Sequence, residues 1–365
     1  MKKGKIQMGF IGCGGIAETK YFPTLSSLLS LGEMLAFCDT DFSKAELAKS
    51  KYGCFEAQAF SDYEEMLKLE ELDLIYVLTP NVFHAEMTIA ALNSGKHVVC
   101  EKPMAVSSLE GQAMIKAAKD NNRQLMISYQ SRFREDSILI KSFADSGDFG
   151  DIYFAKAHAR RRKEVPTWGV FTNAQLQGGG PLIDIGSHAL DLTLWLMGNF
   201  EPASVTGTVY RKMKDEIDGN RFGAWDPQSF QVEDSAFAFI TMKNGATVIL
   251  ETSWALNTTD VREAMSSICG TKGGAEMFKK PDGKSDIIIN TAKYGHLLDV
   301  SVPSLGRNAP FGLNPESAIS RECRLTLEAL HRGEPFPVSS DEALQVTRIL
   351  EAIYQSAEQG RQVML

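Results

Sequence analysis

Gly9-Phe10-Ile11-Gly12-Cys13-Gly14-Gly15-Ile16-Ala17 is the stretch on which the fold turns. An apolar run, Ile6, Met8, Phe10 and Ile11, leads into it, as in a strand buried on both faces. A helical pattern follows. Gly12 permits a tight turn, Gly14 lets the backbone approach a pyrophosphate, and Ala17 fills the third small position, where helix and strand pack closely. Gly15 and Ile16 complete a loop whose N–H groups, at the helix start, suit phosphate oxygens. The pattern reads as a dinucleotide grip. Asp39 closes the next apolar run, Met34–Cys38, about 20 residues further on, where a carboxylate accepts bonds from ribose hydroxyls and repels a 2′-phosphate. Thr40 and Asp41 follow with no arginine, so NAD is expected over NADP; Lys44 is near enough in sequence to leave NADP open.

The chain of 365 residues exceeds the usual single-domain size, and 44% hydrophobic residues can build two cores. A formal net charge of −8 argues against nucleic acid or an anionic membrane as partner, and the short basic cluster Arg160–Lys163 does not overturn it. Cys13, Cys38, Cys54, Cys100, Cys269 and Cys323 lie without paired metal spacing and read as reduced core residues. With a strand beginning near Ile6 and no apolar run of membrane-spanning length, neither a signal peptide nor a transmembrane segment is expected, and the location expected is the cytoplasm.

Strand and helix signals alternate through the first 130 residues: helical patterns over 43–51, 61–69, 82–93 and 108–121 separate apolar strands at 73–78, 97–100 and 124–128. Such alternation predicts a parallel, doubly wound sheet, whose ligand lies across the carboxyl ends of the strands. Thr79-Pro80-Asn81, Glu101-Lys102-Pro103 and Tyr129-Gln130 occupy those ends and are expected to face the cofactor. Lys102, set between a buried strand and a proline, either steadies a substrate oxygen or is an ordinary solvated loop lysine.

Gly178-Gly179-Gly180-Pro181-Leu182-Ile183-Asp184-Ile185-Gly186-Ser187-His188-Ala189-Leu190-Asp191 is the second informative stretch. Asp184 and His188, four apart, share one helix face. An imidazole beside a carboxylate suits a base for an alcohol proton near neutral pH; the alternative is that the pair caps and pads the helix start. Three successive glycines point to a close backbone approach to something.

These motifs, with EKP at Glu101–Pro103, resemble the Gfo/Idh/MocA oxidoreductase family in order and over essentially the whole chain. The resemblance implies an α/β protein: an N-terminal Rossmann domain with a doubly wound parallel sheet, then a C-terminal α/β domain with an open, mostly antiparallel sheet. It implies hydride transfer between NAD(P) and a CH–OH carbon of a sugar, inositol or related polyol, and assembly as dimers or tetramers. By motif match, Lys102 takes the catalytic-lysine place, His188 that of the general acid/base, and Asp184 that of its acidic partner or a substrate ligand. Glu101, Asn81 and His84 match positions lining the nicotinamide side.

Boundaries are expected at 1–128 for the dinucleotide domain and 129–365 for the substrate and oligomerisation domain, with a final helix at 341–360 docking back. In the second domain, 152–160 alternates alanines with Phe154, Lys156, His158 and Arg160, and further strand signals follow at 204–210, 235–242, 246–256, 266–270, 275–278 and 286–290. A sheet of that size with few long helices nearby predicts that a second subunit covers one face. The Arg160–Lys163 run is either a solvated edge or, through Arg160 with Trp168, part of a sugar pocket. Residues 211–231, rich in polar residues and glycine, read as a mobile insertion. The expected activity is NAD-dependent dehydrogenation of a carbohydrate or polyol: His188 removes the hydroxyl proton and Lys102 steadies the oxygen. Two alternatives stand beside it, a glycosidase or epimerase that oxidises and regenerates NAD within each turnover, and a non-catalytic sensor of NAD and sugar.

Overall fold

A computed structural model describes residues 4–280, 285–302 and 316–365. They group into two units, Met1–Tyr129 with Ser317–Leu344, and Gln130–Glu316 with Gln345–Leu365.

In the first unit, β1 (Ile6–Ile11), β2 (Gly32–Cys38), β3 (Gln58–Phe60), β4 (Leu74–Val77), β5 (His97–Glu101) and β6 (Leu125–Ser128) form one sheet in the order β3-β2-β1-β4-β5-β6. Every pairing is parallel. All residues of β1, β4 and β6 are buried, which is why these strands are apolar apart from Gln7 and Ser128. A π-type turn at Ala17–Tyr21 runs into α1 (Phe22–Ser26). The crossovers α2 (Phe42–Tyr52), α3 (Tyr63–Leu67) and α5 (Ser108–Asp120) begin at Asp41, Asp62 and Ser107, whose side chains accept N–H bonds of the first turn. α4 (His84–Asn93) ends before Gly95, at φ +80°. The order reverses between β1 and β4, so the carboxyl ends of β2, β1, β4 and β5 lie side by side. Residues 317–344 are fastened to this unit by polar bonds. Gln124 donates to Glu334 O at 3.0 Å and accepts Phe336 N–H at 2.7 Å, and Ser128 Oγ donates to Glu322 at 3.0 Å.

The second unit opens with a 3₁₀ turn, Gln130–Phe133, and α6 (Glu135–Asp145). Its nine strands are β7 (Ile152–Arg160), β8 (Pro202–Tyr210), β9 (Ser235–Met242), β10 (Thr247–Ser253), β11 (Arg262–Gly270), β12 (Gly273–Lys279), β13 (Ser285–Lys293), β14 (His296–Val302) and β15 (Val363–Met364). They run in the order β14-β13-β12-β11-β7-β10-β9-β8-β15; β7 and β10 are parallel and every other pair is antiparallel. The Asn244-Gly245 turn joins β9 to β10 with Gly245 at φ +87°. Between β7 and β8 lie a short helix α7 (Ala174–Gln177), a π-type turn Leu182–Gly186, and α8 (Ser187–Met197), which stops at Gly198, φ +63°. Thr193 of α8 bonds Ser266, which pairs with Ala157 across the β11–β7 ladder. Thus α8 lies on the sheet face carrying Ala155, Ala157 and Ala159, whose small side chains allow a close approach. α9 (Ala318–Arg332) and α10 (Ser340–Gln359) complete the chain; α10 belongs to this unit from Gln345 onward. No helix among the described residues is long and apolar enough to cross a membrane.

Residues 211–231, expected as a mobile insertion, are tied down. Asn220 makes two bonds to the backbone of Val165, Thr167 donates to Phe222 O, and Trp225, 6% exposed, donates to Lys214 O while packing on Phe230. Trp225 and Phe230 give the segment a small apolar core, which its polar composition hides.

Candidate active site

In the first unit the glycine loop is drawn tight by its neighbours. Gly12 sits at φ +99°, and a Cβ there would lie 2.6 Å from Leu78 O, so no larger residue fits between β1 and β4. Asp39 holds the loop from the other side: its Oδ2 accepts Cys13 N–H at 2.9 Å and its Oδ1 accepts Asp41 N–H at 2.9 Å. The first helical bond runs from Glu18 N–H to Gly14 O, which leaves the amides of Gly15, Ile16 and Ala17 as the first turn. Cβ atoms built on Gly14 and Gly15 meet nothing within 4 Å. A cavity of about 170 Å³ opens beside them, with Lys44, Leu47 and Tyr52 in its wall. Thr79, at the end of β4, has a buried hydroxyl with no partner. Open backbone at a helix start, a carboxylate with lone pairs to spare and an orphaned hydroxyl together fit a dinucleotide. Lys44 Nζ lies 3.8 Å from Asp41, so its charge is partly met within the chain.

The remaining sequence-derived positions of this unit divide into two groups. Lys102 is half-buried at the end of β5, its N–H donating to Glu101 Oε2 at 3.0 Å and its bond to Pro103 cis. Asn81 is buried in the turn that follows Thr79 and Pro80. Glu101 turns inward: its other oxygen accepts Tyr21 Oη at 2.8 Å, and Tyr21 in turn contacts Ser128. His84 is fully buried, with Nδ1 at 2.7 Å from Pro103 O and Nε2 at 3.0 Å from Thr79 O. Burial pushes its pKa below the ordinary histidine range, against the pull of the two carbonyls and Glu101. Expected to line the nicotinamide side, His84 instead has both ring nitrogens occupied by backbone and fastens the two strand-end turns together.

In the second unit everything from Gly179 to Leu194 is buried except His188. It stands on the first turn of α8, directly after the π-type turn that carries Asp184. Asp184 is held by Trp254, fully buried at the end of β10, whose Nε1 donates to its Oδ2 at 3.1 Å. Arg161 Nη1 lies 4.0 Å from the same oxygen while its fork engages Glu263 at 2.6 and 2.7 Å. Trp168 is half exposed and packs edge-on against Phe171 and Phe222; Phe171 contacts Trp254 in turn. The rings therefore lead from Trp168 to the residue that pins Asp184.

Arg160 is elsewhere. It alternates with the alanines of β7 and so lies on the face away from α8, where it pairs with Glu251 at 3.0 Å and Asp260 at 2.7 Å. His158 shares that face, bonded to Glu251 and Ser267. Arg161, one residue on, is the arginine beside Asp184; a run of three arginines does not say which of them turns that way. Gln130 begins the 3₁₀ turn that opens the second unit. The roles of Trp254, Glu233 and Tyr354 have no local signal, because each lies more than fifty residues from the glycine run and Asp184 that it holds.

Comparison with known proteins places this geometry. Residues 6–129 match the model of the oxidoreductase family with an NAD-binding Rossmann fold, GFO/IDH/MocA, and residues 138–276 match the GFO/IDH/MocA C-terminal domain. A D-glucoside 3-dehydrogenase of Escherichia coli is 33% identical over 369 residues, covering 100% of this chain and 99% of that protein. An NADP(+)-dependent scyllo-inositol 2-dehydrogenase of Bacillus subtilis is 25% identical over 370 residues, with 100% and 97% covered. Among solved structures, an aldose-aldose oxidoreductase from Caulobacter crescentus complexed with glycerol superposes with a TM-score of 0.81 at 25% identity, covering 99% of this chain and 100% of that one. With an NAD-binding Rossmann sheet, a second and mostly antiparallel sheet, and family models matching most of its length, the chain belongs to the Gfo/Idh/MocA family of oxidoreductases.

Proposed function

We propose that this oxidoreductase removes hydrogen from a ring CH–OH of a sugar, glucoside or cyclic polyol, with NAD preferred over NADP. His188 is the base. What supports it is exposure: in a stretch of sixteen residues, 179–194, it is the one residue that is not buried, while Asp184 and Ile183 keep only 7% and 6%. Burying an entire helix start while leaving one imidazole accessible is the pattern of a group that exchanges protons with a ligand. Asp184, steadied by Trp254 and near Arg161, binds a neighbouring hydroxyl or the imidazole itself. Lys102 donates to the reacting oxygen and stabilises the negative charge it gains as the proton leaves. Trp168 offers a ring face to the apolar side of a sugar.

Gly12, Gly14, Gly15, Ile16, Asp39, Thr79 and Asn81 would hold the dinucleotide, which when bound accepts the hydride. Asp39 sets the preference, since its carboxylate accepts ribose hydroxyls and repels a phosphate in their place. The likeness to a glucoside dehydrogenase over the full chain supports glucosides as the first substrates to test. A second copy of the chain covers the sheet face opposite α8, where Phe239, 50% exposed, stands beside Ile249 and Phe237. The six cysteines are all unpaired, which supports a reducing compartment, the cytoplasm.

The test is a panel of methyl β-D-glucopyranoside, myo-inositol, scyllo-inositol and levoglucosan, followed at 340 nm with NAD and with NADP. Oxidation of at least one, with NAD the better acceptor, and its loss in H188A and K102A are the expected results. Turnover retained in both variants would refute the assignment of the catalytic groups. Light scattering of the purified protein tests the second copy; a monomer at micromolar concentration would refute it.

A further inference from the structure

Two of the three glycines ahead of Asp184, Gly179 and Gly180, have a partner, and it lies within the protein. Glu233, 2% exposed just before β9, aims its carboxylate at the start of the π-type turn. Oε2 accepts Gly180 N–H at 2.8 Å, while Oε1 accepts Leu182 N–H at 3.0 Å and the hydroxyl of Tyr354 at 2.9 Å. The contact leaves no room for side chains. A Cβ on Gly179 would come within 2.0 Å of Tyr354 Oη, and one on Gly180 within 2.1 Å of Glu233 O. On the far side Thr252 Oγ1 donates to Pro181 O at 2.9 Å. Gly180 O meanwhile accepts Asp184 N–H at 2.9 Å, so the clamped residue is itself the first rung under Asp184.

We infer that Glu233 and Tyr354 are positioning residues for the reaction: the carboxylate fixes the turn from which Asp184 and His188 project, and the phenol of the final helix fixes the carboxylate. The inference rests on the assignment of His188 as the base. Three donors converge on the two oxygens, an arrangement that an ionised carboxylate satisfies most fully. A negative group at this point also faces the positive end of the helix that runs on through α8. Burial raises the pKa of Glu233, and the N–H groups and Tyr354 oppose that rise. The phenol is raised in turn by burial and by the charge of Glu233, with Arg211 acting the other way. The final helix thereby acts on the chemistry as well as on packing.

Two substitutions separate the parts. Y354F removes one bond and leaves both backbone contacts. E233Q places an amide N–H against the N–H of Gly180 or Leu182. Initial rates are measured on methyl β-D-glucopyranoside and myo-inositol, NAD binding by calorimetry, and the deuterium isotope effect on kcat with substrate labelled at the reacting carbon. We expect kcat to fall about tenfold in Y354F and on the order of 100-fold in E233Q. KM and NAD affinity should stay within about twofold, and the isotope effect should rise, because misplacement slows the chemical step rather than binding. A merely structural role would lower the melting temperature and leave the isotope effect alone. If E233Q does not fold, Y354F decides. Loss of activity in H188A alongside unchanged kcat and isotope effect in Y354F and, where folded, E233Q would overturn this inference alone. Activity retained in H188A would remove the base assignment and this inference with it.

Discussion

Three residues beyond His188, on the same helix, Asp191 is fully buried and bound by Arg132 from the 3₁₀ turn that opens the second unit. Arg132 Nε donates to Oδ2 at 2.9 Å and Nη2 to Oδ1 at 2.6 Å, with side-chain exposures of 3% and 0%. The guanidinium also stacks over Phe200 at 5.2 Å and Trp195 at 6.0 Å. Two unit charges about 4 Å apart attract by ~4 kcal/mol at the effective dielectric that suits protein sites, and removing one leaves the other buried without this opposite charge. Arg132→Met and Asp191→Leu should therefore each destabilise the second unit by about 3–5 kcal/mol. The double variant, in which neither charge remains, should cost about 1–2 kcal/mol, several less than the sum of the singles. The chain offers a clean probe, for its four tryptophans, Trp168, Trp195, Trp225 and Trp254, all lie in the second unit. Guanidinium unfolding followed by tryptophan fluorescence then reads the unit that holds the ion pair. Single-variant losses below about 1 kcal/mol, or losses that simply add, would refute the account of a buried pair whose partners need each other.

Gly12→Ala should cost at least ~2 kcal/mol of stability, from its positive φ and the collision with Leu78 O, whereas Gly14→Ala should fold within about 1 kcal/mol of wild type yet weaken NAD binding tenfold or more; thermal melts and calorimetry separate the two. Trp254→Phe keeps the buried ring but removes the donor to Asp184, and a drop of about 1–3 kcal/mol in transition-state stabilisation should appear in kcat/KM. His97 has its pKa lowered to about 4 by burial and by Arg123, and its Nδ1 accepts Gln124 N–H, so the folded state keeps it neutral. Its folded value lies below that of the unfolded chain, so its contribution is whole above pH ~6.5 and disappears as pH falls toward 4. Urea titrations across that window should show about 2 kcal/mol lost through this residue in wild type, after allowance for solvent screening, and a flatter profile in His97→Asn.

How much of this could be read from residues alone depends on whether the signal is local. The glycine loop, the acidic residue after β2 and the alternation of β4, β5 and β6 with helices are all short-range patterns, and the parallel sheet follows from them. Likewise Ala155, Ala157 and Ala159 mark the face on which α8 lies, and Asn244-Gly245 marks a hairpin. The return of residues 317–344 to the first unit leaves no such mark, because an amphipathic helix states that it docks without stating where. His84 misleads for a related reason: the family motif sets it on the nicotinamide side, and only the carbonyls of Thr79 and Pro103, one of them nineteen residues away, show that its ring is already bound. Arg160 and Arg161 differ by a single step along an extended chain, which reverses the face each presents.

The two glycine runs, so alike in sequence, reach their form by one device. In each, a carboxylate from a distant strand boundary accepts backbone N–H groups of the turn: Asp39 takes Cys13 N–H in the first unit, and Glu233 takes Gly180 and Leu182 N–H in the second. In each, part of the glycine requirement comes from the protein's own backbone, Leu78 O against Gly12 and Glu233 O against Gly180. The rest of the requirement differs. Gly14 and Gly15 face open space and are free to meet a ligand, while Gly179 and Gly180 are filled from within, so that the turn they open is held in place beneath Asp184 and His188. A glycine-rich turn is thus ambiguous between approach to a ligand and approach to a neighbour, and the space around a hypothetical Cβ resolves it. On that criterion Gly14→Ala should be felt by the dinucleotide, Gly180→Ala by the fold and by kcat. A Gly180→Ala protein with wild-type melting temperature and turnover would break the argument for the second clamp.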